Sequence, residues 1–136
     1  MTNREKTFML MAREVSKLST YFKARIGAVL VDGNHVVSSG YNKKKTHPLQ
    51  KELNKVRGFQ CRDGIHAETD CLSWLIGKKD VDFTRMKLFI YREDKNGNPA
   101  ICRPCPACQK LIRSLGIKEV YYLDELGHPT KESKNW

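Results

Sequence analysis

No stretch of this 136-residue chain stays apolar for long. The first apolar run, Phe8 to Ala12, is broken by Arg13 and preceded by the polar opening Met1-Thr2-Asn3-Arg4-Glu5-Lys6. A membrane span needs about 20 apolar residues and a secretory signal an apolar core of about 7–15, so neither is expected. Acidic residues are also scarce: 15 Asp and Glu against 25 Lys and Arg leave a formal net charge of +10. Such an excess suits an anionic partner (a nucleotide, a nucleic acid or an acidic surface), and it equally suits a solvated basic surface. The cysteines number five, an odd count for a disulfide framework. With no signal expected, they imply a reducing, cytoplasmic setting in which clustered thiols are metal ligands before they are disulfides. Repeats, low-complexity segments and linkers are all missing, so one domain over 1–136 is expected, with a polar tail from about 125. The 40% apolar content suffices for one core.

What is present has a clear rhythm. Phe8, Met11, Ala12, Val15 and Leu18 recur at helical spacing and predict an amphipathic helix over 3–18. Ile26 to Val31 is a short β-branched run, Asp32-Gly33-Asn34 a tight turn, and His35 to Gly40 a returning strand. Residues 43–64 form a long polar loop, with a helical turn near Leu49 to Val56; loops of that length in small domains are often functional. A helix is predicted from His66 to Ile76, with Ala67, Cys71, Trp74 and Leu75 inward, and a strand over Met86 to Tyr91. After the turn at Asn96-Gly97-Asn98-Pro99 come a helix over Pro104 to Leu115, ended by Gly116, and a strand over Lys118 to Leu123. Helices alternating with strands predict an α/β fold in which helices cover a sheet.

Two short motifs carry chemistry. Pro104-Cys105-Pro106-Ala107-Cys108 sets two thiols on one face of a first helical turn, where exposed N–H groups favour negative charge. Two such thiolates repel unless a cation lies between them, and Zn²⁺ accepts this ligation; a lone C-x-x-C is also read as a redox pair or as two core cysteines. His66-Ala67-Glu68, at the opening of another helix, supplies a third ligand and a carboxylate. Three protein ligands leave a fourth position for water, whose pKa zinc lowers to roughly 7. Taken singly, His66 would be a surface or core histidine and Glu68 an ordinary first-turn acid. Cys102 makes a fourth ligand conceivable, but it precedes Pro104 and is read as a small buried thiol. His47, Cys61 and Cys71 could belong to a second metal site but lack diagnostic spacing.

H-x-E followed by P-C-x-x-C is the pattern of zinc deaminases. The order of Arg25–Val31, Gly40-Tyr41-Asn42, His66-Ala67-Glu68, Pro104–Cys108 and Gly116–Tyr121 resembles the cytidine and deoxycytidylate (dCMP) deaminase family. That resemblance implies a three-layer α/β/α cytidine-deaminase-like fold with a mixed central sheet of four to five strands. It implies zinc on His66, Cys105 and Cys108, and Glu68 carrying protons from the zinc-bound water to the base and then to departing ammonia. It further implies deamination of a free cytosine nucleotide, dCMP to dUMP, and a homo-oligomer. Asn42 matches the position that contacts base or sugar, although a turn residue is the plainer reading. Ala67 and the basic run Lys43, Lys44 and Lys45 complete the candidate substrate-binding set, the lysines being placed to meet a phosphate. Few aromatics accompany the lysines, which favours a nucleotide over a single-stranded DNA or RNA partner. A tRNA substrate and a non-catalytic zinc module that binds nucleic acid are the remaining alternatives.

Overall fold

The structure is a computed structural model that describes residues 1–21, 23–45, 48–55 and 64–133. Helix α1 (Asn3–Ser16) is started by a capping box, in which the Thr2 hydroxyl accepts from Glu5 N–H and the Glu5 carboxylate accepts from Thr2 N–H. Strands β1 (Ala24–Asp32) and β2 (His35–Tyr41) form the expected hairpin around Gly33, whose φ of 62° suits the tight turn. Helices α2 (Pro48–Asn54) and α3 (Ala67–Ser73) precede β3 (Met86–Asp94). Helix α4 (Pro106–Leu115), β4 (Glu119–Leu123) and β5 (Pro129–Ser133) complete the chain.

The sheet order is β2-β1-β3-β4-β5. β3 runs in the direction of β2, but β1 lies between them and is antiparallel to both. β3 and β4 are parallel. β5 pairs antiparallel with β4 from Leu123↔Pro129 to Glu119↔Ser133. The expected tail from about 125 is therefore in part an edge strand. Its alternation is hard to read because the strand is edge-exposed and opens with proline.

Two glycines set the spacing of the layers. A Cβ on Gly27 would lie 2.2 Å from the Ala12 carbonyl oxygen, so α1 covers that face at backbone distance. A Cβ on Gly40 would lie 2.3 Å from Cys71 N, so α3 covers the opposite face equally closely. Because successive strand residues alternate between faces, Gly27 looks to α1 while Ala28, paired with Gly40, looks to α3. α2 and α4 share the α3 side, which gives three layers, α/β/α. The core is built from Val29, Leu30 and Val31 of β1, Leu88, Phe89 and Ile90 of β3, and Val120 and Tyr121 of β4.

The buried stripe of α1 is Phe8, Met9, Ala12 and Ser16. It is rotated from the expected stripe, since Met11 and Leu18 are exposed. Ser16 is fully buried where its backbone lies against Gly27 of β1. Trp74, expected inward, is exposed; α3 ends at Ser73, and Trp74 is its C-cap residue.

Candidate active site

The two motifs meet at the starts of two helices. His66 is the N-cap residue of α3 and Cys105 that of α4, with Pro106 in the first turn of α4, where its missing N–H costs nothing. Cys108 lies one turn further along α4 and is buried. His66 Nδ1 is 3.5 Å from Cys105 Sγ and 3.4 Å from Cys108 Sγ. Two ligands of one tetrahedral zinc, at about 2.0 and 2.3 Å, stand roughly 3.6 Å apart, so these separations fit a common ion. Among the described residues, this trio is the one His/Cys/Asp/Glu group with its ligand atoms close enough to hold a metal.

The charge state of the thiols supports the same reading. A hydrogen bond from Cys108 pulls the Cys105 thiol far below its ordinary range, with His66 assisting. That same bond, together with burial, pushes Cys108 well up. Left to themselves the two sulfurs share one negative charge, whereas a dication would draw the second proton off. Thr69 Oγ1 lies 3.9 Å from Cys108 Sγ.

Glu68 sits in the first turn of α3 and is only 5% exposed. Burial raises its carboxyl, and the positive character of His66 opposes that rise. Gln50 of α2, fully buried, accepts a hydrogen bond from His66 N–H at 3.0 Å and donates to Asn54 at 2.8 Å. Lys43 and Ile65 exchange two backbone hydrogen bonds and tie the loop to the entry of α3.

His66, Glu68 and Cys105 line a cavity of about 480 Å³ whose walls also include Tyr21, Ile26, Asn42, Lys43, Lys44, Ile65, Arg92, Cys102 and Arg103. Asn42 is braced before any ligand arrives: its Oδ1 accepts from Ile26 N–H at 2.9 Å and its Nδ2 donates to the Ala24 carbonyl at 2.6 Å. One N–H and one lone pair of its amide remain for a second partner. The lysines diverge. Lys43 Nζ is 3.1 Å from both oxygens of the buried Asp70 and 4.5 Å from the centre of the Tyr41 ring. Lys44 is exposed beside Tyr21 at the cavity, and Lys45 is exposed and is not part of the lining. Ala67 is fully buried, and it too is not part of the lining.

Cys102 is buried and is not part of the metal group among the described residues; it donates to the Ile90 carbonyl and accepts from Leu123 N–H. Cys71 is a core thiol, pushed by burial up to about 12, and it joins no metal group among the described residues. His47 and Cys61 lie outside the described residues. Sequence reasoning passed over Arg92, Arg103, Tyr21 and Gln50. A signal existed for Arg92: it follows Leu88 and Ile90 at a spacing of two, so it is a charged residue at an inward phase of a core strand.

A three-ligand centre with a buried carboxylate beside it is of the catalytic kind, here carried on an α/β/α scaffold. Residues 2–124 match the family described as the cytidine and deoxycytidylate deaminase zinc-binding region, and the chain belongs to that family. It is 33% identical to a deoxycytidylate deaminase of Schizosaccharomyces pombe over 119 residues, which is 85% of this chain but 35% of the relative. The chain thus spans about a third of that relative's length. Its fold is similar to that of a dCMP deaminase from the cyanophage S-TIM5, with a TM-score of 0.64, 24% identity, and coverage of 92% of this chain and 86% of that one. A cytidine deaminase from Burkholderia pseudomallei also has a TM-score of 0.64, at 19% identity over 98% and 93% of the two chains. Among the described residues, no helix is long and apolar enough to cross a membrane.

Proposed function

We propose that this chain hydrolytically deaminates a free cytosine nucleotide, converting dCMP and water to dUMP and ammonia. The observation that carries this reading is the buried Glu68 beside the His66, Cys105 and Cys108 cluster, at a cavity sized for a small molecule. The similarity to a deoxycytidylate deaminase of S. pombe supports the choice of nucleotide.

His66, Cys105 and Cys108 would hold the zinc, which supplies Lewis acidity and lowers the pKa of a coordinated water to roughly 7. The remaining work falls to the chain itself. Glu68 takes a proton from the attacking water and delivers it to the ring nitrogen next to the amine-bearing carbon, then takes the remaining proton of the added hydroxyl and delivers it to the amine as it leaves. The oxygen of water replaces that amine, so the base gains a carbonyl and ammonia departs. Asn42, fixed through its bonds to β1, offers its remaining amide groups to base or sugar. Ile26 and Ile65 supply apolar walls that keep bulk water from the reacting carbon. Lys44 adds positive charge at the mouth, Lys43 serves mainly to fix Asp70, and Lys45 contributes at longer range.

The test is ammonia release from cytosine, cytidine, CMP, dCMP, deoxycytidine, guanine, adenosine and a short single strand, for wild type and Glu68→Gln. dCMP should be the best substrate, and E68Q should fall about 10²–10⁴-fold. Turnover confined to the single strand would replace the free-nucleotide reading. Substantial activity in E68Q would remove the proton-carrier role.

A further inference from the structure

Four cationic side chains reach the cavity: Lys43, Lys44, Arg92 and Arg103. Two already face carboxylates. Lys43 is held by Asp70, and Arg103 meets Glu132 through Nε at 2.8 Å and Nη2 at 3.2 Å. Lys44 is exposed, so its field is screened by water and salt. Arg92 stands in a different condition. It is half-buried and forms no ion pair among the described residues. One guanidinium nitrogen, Nη1, donates to the Ile101 carbonyl at 3.2 Å. Its Nε is shielded from solvent and has no hydrogen-bond partner among the described residues.

A half-buried guanidinium without a counter-charge is costly, because partial loss of hydration is not repaid by an opposite charge. Its location also matters. Arg92 pairs with Ile26 across β3 and β1, and the Ile26 N–H is bonded by Asn42. Asn42, Ile26 and Arg92 thus form a row across three neighbouring strand ends. Two strand spacings of about 4.8 Å put the Arg92 backbone roughly 10 Å from Asn42. A nucleotide whose base lies at Glu68 and whose sugar meets Asn42 would extend its phosphate along that row.

We propose that Arg92 anchors the 5′-phosphate of the substrate, and that this under-satisfied arginine, rather than the Lys43–Lys45 run, gives the cavity its preference for a nucleoside monophosphate. The proposal rests on the deaminase reading above. Guanidinium presents planar, fixed donors to phosphate oxygens, which an exposed ammonium does not match.

The experiment compares wild type, Arg92→Ala, Arg92→Lys and Lys44→Ala by steady-state kinetics on dCMP, deoxycytidine and a short cytosine-containing single strand. Thermal stabilisation by dUMP gives a readout independent of turnover. In R92A, the ratio of kcat/KM for dCMP to that for deoxycytidine should fall about 10- to 100-fold, as loss of a charge-assisted contact implies. R92K should recover part of that ratio, and K44A should change it less than about 3-fold. The dUMP-induced rise in melting temperature should shrink in R92A and partly return in R92K. Should R92A fail to fold, the fall in R92K relative to wild type carries the test. An unchanged ratio, or a larger loss in K44A, would overturn the anchor. Loss on the single strand with dCMP spared would assign the anion to a polynucleotide backbone and likewise overturn it. If wild type turns over neither dCMP nor deoxycytidine, the deaminase reading itself fails, a result distinct from an active R92A with its ratio intact.

Discussion

His66 and Cys108 stand 42 positions apart in the chain, yet Nδ1 of one lies 3.4 Å from Sγ of the other. Neither helix start could bring this about alone; the sheet beneath them aligns α3 and α4. The separation suits a shared zinc, so purified protein should carry about one zinc per chain. His66→Ala and Cys108→Ala should each lose most of it, measured by elemental analysis after gel filtration. Full retention in either variant would exclude the trio as the ligand set.

Gln50 is predicted to matter for the metal without touching it. Its side-chain oxygen is the partner of the His66 N–H, in a place water does not reach. Gln50→Ala leaves that donor unsatisfied, at a cost of about 1–3 kcal/mol. A lower melting temperature should therefore accompany faster zinc loss to a chelator. A variant with wild-type values for both would show that the N–H finds another acceptor.

Acid should weaken the fold through Glu5. The Tyr121 hydroxyl donates to its carboxylate at 2.7 Å, Thr2 N–H donates at 3.0 Å and Lys87 Nζ lies 3.2 Å away. The Tyr121 bond leads in holding this carboxyl down at about 2, against an ordinary value of 4.5. Because the folded value is the lower one, the stabilisation is complete above about pH 4.5, declines as pH falls, and is gone near 2. Glu5→Gln should lose about 2 kcal/mol at neutral pH and show a flatter decline in urea midpoint between pH 4.5 and 3. Parallel acid limbs in wild type and variant would place the acid sensitivity elsewhere.

The chemistry of this chain was more legible than its packing. His66, Cys105 and Cys108, which the structure brings together, are legible in residue type and spacing, because metal ligation restricts both. Strand β5 was not legible, since an edge strand can be polar on both faces. The rotation of α1 was missed because small, polar Ser16 takes a buried position against Gly27. Lys43 shows the limit for charge runs: three adjacent lysines read alike, yet Asp70, far along the chain, claims one of them. Gln50 owes its contact with the His66 N–H to the meeting of α2 and α3 in space, which no local pattern announces.

The paired contacts of Gly27 and Gly40 bear on how precisely the site is built. Where side chains separate two layers, rotamer changes can alter the gap by several tenths of an ångström. Here main chain rests on main chain on both sides of the hairpin, which leaves little slack in the stack. α3 is seated this way, and His66 and Glu68 belong to its first turn. The placement of His66 and Glu68 is thus inherited from one missing methyl group, at Gly40: the hairpin is a datum surface from which the start of α3 is gauged.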